Sequence, residues 1–256
     1  MSVPLSFDLS RRNALITGGG SGLGFAIAKA VAAAGAGVIL VGRDSQKLTR
    51  ACAELRASGA SANWIVCDLL DREAIAPLIE RLERDIGPID ILFNNAGVQH
   101  RAPFTEFPAE GWDRIVATHL SAPFFLTQAV ARSMIPRGRG KIINTLSVTS
   151  ELGRAMIVPY TTAKGGLKML TRGLAVELAA YNIQVNGVAP GFFRTEMNQA
   201  LLDDPKFDNW IKQRTPARRW GEPDEIGGVA VFLASSASDF VTGQVIFVDG
   251  GLTASV

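Results

Sequence analysis

Short apolar and β-branched runs recur along the whole chain: NALIT (13–17), AGVILVG (36–42), NWIVCD (63–68), IDILFNNAG (89–97), GKIINTLS (140–147), IQVNGVAPG (183–191) and GQVIFVDGG (243–251). Helix-like segments separate them, beginning with LGFAIAKAVAAAG (23–35) and the charged DSQKLTRACAELRASG (44–59). A strand that is apolar on both faces must be covered on both faces, which calls for helices on either side of a parallel sheet. The pattern predicts an α/β chain with a doubly wound Rossmann fold, its parallel sheet having about seven strands. No Pro- or Ser-rich linker and no internal repeat divides it, so residues 1–256 read as one domain. The longest interruption between strands, around 196–220, mixes charges with Phe207, Trp210 and Ile211. It reads either as a helical lid over a substrate or as a permanently packed insertion.

Composition narrows the partners. Of 256 residues 47% are hydrophobic, enough for a substantial core. Lys and Arg number 26 against 24 acidic residues, a net charge of +2 with both signs interspersed. No basic stripe marks a nucleic-acid or membrane surface, and RGRGK (137–141) reads as a solvated turn. The opening MSVPLSFDLSRR lacks a signal-type apolar core, and no stretch reaches the roughly 18 apolar residues of a membrane span. The expectation is a soluble cytoplasmic protein acting on a small molecule. Cys52 and Cys67 stand alone, and with only His100 and His119 they form no recognisable zinc set, so no metal is expected.

The first run leads into TGGGSGLG (17–24), which opens a helix. Gly18, Gly22 and Gly24, with Ser21 and Leu23 between them, allow a tight turn whose backbone N–H groups can approach a diphosphate at the helix N-terminus. This placement points to a dinucleotide. The second run ends VILVGRD; Gly42 occupies the tip where an acidic residue would bind ribose hydroxyls and repel a 2′-phosphate. Arg43 follows, and a guanidinium suits a phosphate, which favours NADP(H) over NAD(H). Two features weigh the other way: Asp44 is adjacent and could turn inward, and Ser21 offers no second cation.

Tyr160 and Lys164, in YTTAK, are four residues apart and share one helix face. A tyrosine is a poor base near neutrality, but a neighbouring ammonium stabilises its phenolate. A hydroxyl from Ser147, at a strand end, could hold a substrate oxygen. Together they make a general acid/base with a polarising donor for hydride transfer at a carbonyl or alcohol.

With these motifs the chain resembles the short-chain dehydrogenases/reductases over essentially its whole length. TGGGSGLG is similar to the family's glycine loop, and Ser147, Tyr160 and Lys164 match its catalytic residues. The resemblance implies that Lys164 and Tyr160 also touch the cofactor. It implies that Asn95, Ala96 and Gly97 of NNAG contact the cofactor and that Asp68, with Leu69, holds the adenine. Pro190, Gly191, Phe193 and Thr195 of PGFFRT would lie near the nicotinamide. A homotetramer or homodimer is implied as well.

FDLSRRNALITG, NNAGVQHRAPFTEFPAEGWDRI, SMIPRGRGKIIN and RTPARRWGEPDEI are most similar to members of the family that interconvert gluconate and 5-ketogluconate. A sugar acid needs a cation for its carboxylate and donors for its hydroxyls. Gln99, His100 and Arg101 could supply them, with Glu151 and Arg154 in SELGR, beside Ser147 and Tyr160. The expected activity is reversible hydride transfer between NADP(H) and a secondary alcohol of a polyhydroxylated acid. Alternatives are a 3-oxoacyl-acyl-carrier-protein reductase, another sugar or cyclic-alcohol dehydrogenase, or a non-catalytic dinucleotide-binding regulator. One position departs from the family. In VATHLSA, His119 stands where the resemblance implies an asparagine that completes the catalytic set, holding a helix irregularity and a relay water. His119 could take over that relay with a titration near neutrality, displace the water, or serve as a packed structural residue.

Overall fold

The computed structural model describes residues 6–256, so residues 1–5 of the expected domain and of the 1–12 segment lie outside the described residues. The strands are β1 (Asn13–Thr17), β2 (Gly37–Gly42), β3 (Ala62–Val66), β4 (Ile91–Asn94), β5 (Gly140–Thr145), β6 (Ile183–Pro190) and β7 (Val245–Val248). They form one sheet of 7 strands in the order 3-2-1-4-5-6-7, and every pairing is parallel. The helices are α1 (Gly22–Ala33), α2 (Ser45–Ala57), α3 (Arg72–Asp85), α4 (Ala109–Val116), α5 (Ala122–Arg137), α6 (Val158–Leu178), α7 (Gln199–Leu202), α8 (Pro205–Arg214) and α9 (Gly227–Ala234).

The apolar strand runs follow from the two-sided burial. Along β1 successive side chains alternate faces: Ala14 and Ile16 join a core with α1, α2 and α9, while Leu15 joins one with α3, α5 and α6. Coverage thins at the edges. β7 is only half-buried along its length, and Trp64 and Val66 of β3 are exposed, because an edge strand has a neighbour on one side only.

The chain passes from β1 to β2 and β3 on one side and returns to β4 on the other. Such a reversal opens a crevice beyond the strands' carboxyl ends. Side-chain amides brace its floor: Asn94 Nδ2 donates to Asn144 Oδ1 at 2.8 Å, and Asn144 Nδ2 donates to the Thr171 hydroxyl at 2.9 Å. These bonds join β4, β5 and α6 without leaving a buried amide donor unpaired. Between α4 and α5, Ala117–Ser121 form a π-helical turn, the irregularity implied at His119. The insertion after β6 consists of a 3₁₀ turn at Glu196–Asn198, then α7 and α8. Its far end is firmly packed, with Ile211 and Trp220 at 0% and 1% exposure.

Candidate active site

Two connected cavities occupy the crevice. One, of about 520 Å³, runs from the glycine loop past the ends of β4, β5 and β6 to the 196–198 turn. The other, of about 220 Å³, lies beyond the end of β2, and both share Gly18, Ser21 and Gly97 in their walls.

The glycine loop is shaped as a cradle. Gly18 takes φ +65°, and a Cβ on Gly24 would stand 2.2 Å from the Gly18 carbonyl oxygen, so the helix could not start so close to the strand with a larger residue. Ser21, at the N-cap of α1, makes no side-chain capping bond, which leaves the helix's first N–H groups for an anion. The Thr17 hydroxyl accepts the N–H groups of Asn95 and Ala96, both at 2.9 Å, and so binds the NNAG segment to the loop. A dinucleotide diphosphate fits these groups. Gly18, Ser21, Gly22, Leu23, Gly24 and Asn95 line the larger cavity, as do Pro190, Gly191, Phe193 and Thr195. Arg43, Asp68, Leu69 and Ala96 line the smaller, and Gly97 lines both.

Arg43 and Asp44 both line the wall of the smaller cavity. Asp44 also caps α2, accepting the Lys47 N–H at 3.1 Å. Lys47 lines that wall too, and its ammonium is paired with Glu196 of the insertion. The sequence reading missed this second cation, which α2 brings to the wall from its first turn while Arg43 precedes the helix.

Tyr160 and Lys164 project from α6 into the larger cavity, and Ser147 meets them from the turn after β5. The Ser147 oxygen accepts the Thr149 N–H at 3.2 Å and the Thr149 hydroxyl at 3.0 Å. With both acceptor positions used, the Ser147 proton is what remains to be donated. Nothing had singled out Thr149, since its role depends on a tight local turn.

Burial raises the Tyr160 pKa from its ordinary value, while the Ser147 hydroxyl and then the Arg101 charge pull it down. The cation expected to act on the phenol was Lys164. Its Nζ instead donates to the Thr145 carbonyl at 2.5 Å, 5.6 Å from the tyrosine ring centroid. Burial, with no carboxylate to offset it, lowers the Lys164 pKa to about 7.

His119, almost wholly buried, packs edge-on against Tyr160 with ring centroids 5.0 Å apart. Its Nε2 lies 2.7 Å from the Val98 carbonyl oxygen and 3.1 Å from the Val98 backbone N–H, so it donates to the carbonyl in one tautomer and accepts the N–H in the other. Nδ1 has no hydrogen-bond partner among the described residues. Burial, then the Lys164 charge, lowers the His119 pKa to about 3. Of the three readings, the relay with a titration near neutrality is not favoured, because the imidazole is neutral above about pH 3.

Gln99 and Arg101 face the cavity, whereas His100 between them is exposed and packs edge-on to Phe107 at 5.0 Å. Glu151 also stands outside the cavity wall, drawn to the Lys168 ammonium on α6. Arg154 does line it. Burial lowers the pKa of both Arg101 and Arg154, and the proximity of Arg101 lowers that of Arg154 further. Among the described residues neither guanidinium has an anionic partner, and the buried Arg101 Nε has no hydrogen bond.

A doubly wound sheet, a glycine cradle at its reversal and a Tyr–Lys pair beside a serine define an oxidoreductase acting on a secondary alcohol or ketone with a dinucleotide. A family model described as enoyl-(acyl carrier protein) reductase matches residues 18–253, and the chain belongs to the short-chain dehydrogenase/reductase family. It is similar to gluconate 5-dehydrogenase of Gluconobacter oxydans (strain 621H), 50% identical over 100% of both chains. It is 48% identical to 5-keto-D-gluconate 5-reductase of Escherichia coli (strain K12), over 98% of each. Among solved structures, a gluconate 5-dehydrogenase from Burkholderia cenocepacia J2315, in complex with NADP and tartrate, superposes with a TM-score of 0.95 at 48% identity, covering 98% of each chain.

Proposed function

We propose that this enzyme transfers hydride reversibly between NADP(H) and the C5 alcohol or ketone of gluconate and 5-ketogluconate. The observation that carries the substrate class is the pair of half-buried guanidiniums, Arg101 and Arg154, which line the cavity of Tyr160 with no anionic partner among the described residues. Each is desolvated without compensation, and a carboxylate would relieve both. The relatives' names supply the sugar acid, and the bound NADP of the Burkholderia enzyme supports the phosphorylated cofactor, for which Arg43 and Lys47 offer two cations. The acyl-carrier alternative is not favoured.

When bound, the nicotinamide supplies the hydride acceptor or donor. In the oxidation direction Tyr160 takes the alcohol proton, and in reduction it returns a proton to the developing alkoxide. Ser147 donates to the same oxygen. Arg101 acts twice, binding the carboxylate and favouring the tyrosinate. Lys164, held on the Thr145 carbonyl, is the buried ammonium for the nicotinamide ribose. His119 closes the wall behind Tyr160 as a neutral imidazole, without a titration of its own. The helices at 196–220 cover the substrate.

The free thiols of Cys52 and Cys67 suit a reducing cytoplasm, and no described helix is long and apolar enough to cross a membrane. The half-buried β7, and Phe240 and Val176 at 104% and 82% exposure, support a homotetramer or homodimer, which light scattering would test. Initial rates with gluconate, 5-ketogluconate, neutral polyols and a 3-oxoacyl thioester, each with both cofactors, test the activity. The expected outcome is turnover of the sugar acids with NADP(H) above all others; a preference for the thioester overturns it.

A further inference from the structure

The Arg154 guanidinium is flanked by aromatic rings. Its central carbon lies 4.6 Å from the Phe207 ring centroid and 5.6 Å from that of Phe192. The rings come from different parts of the chain: Phe192 follows β6 and lines the cavity, and Phe207 lies on α8. They meet at a centroid distance of 5.7 Å, with planes at 64°.

Phe207 is held in place from behind. Its ring lies 5.3 Å from Trp210, and Phe192 lies 5.7 Å from the buried Trp220. The Trp220 indole N–H donates to Asp208 of α8 at 2.8 Å, and Asp208 accepts from Lys212 at 2.6 Å. Ile211, on the same helix, is wholly buried.

An arginine has several rotatable bonds, and Arg101 repels it across the cavity. Without restraint Arg154 would swing to solvent. Ring faces attract the cation but are weak hydrogen-bond acceptors, so N–H groups of the guanidinium are left for a carboxylate.

We propose that Phe207 is a positioning residue for substrate recognition: with Phe192 it holds Arg154 with its N–H groups toward the substrate carboxylate, making α8 part of the specificity subsite. The inference rests on the acid-substrate reading above. It also gives the insertion a chemical task beyond excluding water, because acid recognition then requires α8 to be docked.

Phe207→Leu keeps an apolar side chain and removes the ring face, and Phe207→Tyr restores the face. In the NADP+-loaded enzyme Phe207→Leu should raise KM for D-gluconate roughly 5-fold, with kcat and KM for NADP+ changed less than about 2-fold. D-Glucitol, the neutral counterpart, assayed as substrate or as competitive inhibitor, should bind as it does to the wild type. Phe207→Tyr should restore the gluconate KM, and Phe207→Leu should add nothing to Arg154→Gln. An unchanged gluconate KM, an equal loss for gluconate and glucitol, or additivity with Arg154→Gln overturns the inference. The underlying reading fails separately, when Arg101→Gln and Arg154→Gln both leave the gluconate-to-glucitol ratio unchanged. Equal melting temperatures for Phe207→Leu and Phe207→Tyr show that the helix remains docked.

Discussion

Lys164→Met should make the cofactor-free protein more stable at pH 6 and less stable at pH 10, a reversal of sign that follows from where the ammonium sits. Burial lowers the Lys164 pKa from 10.5 to about 7. Below about pH 7 both folded and unfolded states carry the proton, and the folded state bears the whole cost of burying the charge. At about 1.4 kcal/mol for each tenfold change in proton affinity, that cost approaches about 5 kcal/mol. Between about 7 and 10.5 the unfolded chain holds a proton that the folded one has shed, so wild-type stability gains from this group as pH rises. Methionine of similar length removes the charge, but it leaves the Thr145 carbonyl without its 2.5 Å donor, a loss of about 1–3 kcal/mol. The net expectation is a gain of about 2–4 kcal/mol at pH 6 and, with the last of the burial cost still present, a loss of about 1–2 kcal/mol at pH 10. Urea unfolding of both proteins at pH 6, 8 and 10 measures the difference, and other titrating groups cancel in the comparison. A difference that is constant across the three pH values would refute a depressed lysine pKa. Turnover should be lost in the variant at every pH, a case of stability given up for function.

Replacing His119 by Asn should leave the inflections of the kcat/KM–pH profile in place, since the imidazole is neutral above about pH 3. The same change should lower stability by about 1–2 kcal/mol, through lost packing against Tyr160 and Gly97; disappearance of an inflection near neutrality would restore the titrating reading. Thr149→Val frees one acceptor position on Ser147 and should reduce kcat by about 3- to 10-fold with a smaller effect on KM, measured in steady state. Arg43→Ala combined with Lys47→Ala should raise KM for NADP+ by about 100-fold while KM for NAD+ changes little, as expected for two cations on one phosphate. Equal losses with both cofactors would move the pair away from the 2′-phosphate.

Much of this protein could be read in one dimension because its governing interactions are local. The strand runs are apolar on both faces, and the resulting sheet buries them as the pattern required, except at β3 and β7. The glycine loop was legible because only glycine tolerates the approach of α1 to β1. Tyr160 and Lys164 were legible because helical geometry alone puts residues four apart on one face. Arg43 beside a carboxylate-free Gly42 carried the cofactor reading for the same reason.

What remained depended on residues far apart in the chain. Periodicity could not say that Arg101 turns inward and His100 outward, or that Glu151 is taken by a lysine 17 positions on. It could not join Lys47 to Glu196, 149 positions away, or set Arg154 against a ring of α8. His119 is the clearest case. Its residue type suggested a titrating relay, but its charge state depends on burial and on the Lys164 ammonium, both created only when α6 and the π-helical turn close around it. The sequence by itself determined which backbone could form and which groups were available to react. The tertiary structure decided their charge, direction and partners, because solvent exclusion and long-range electrostatics exist only once the chain is packed.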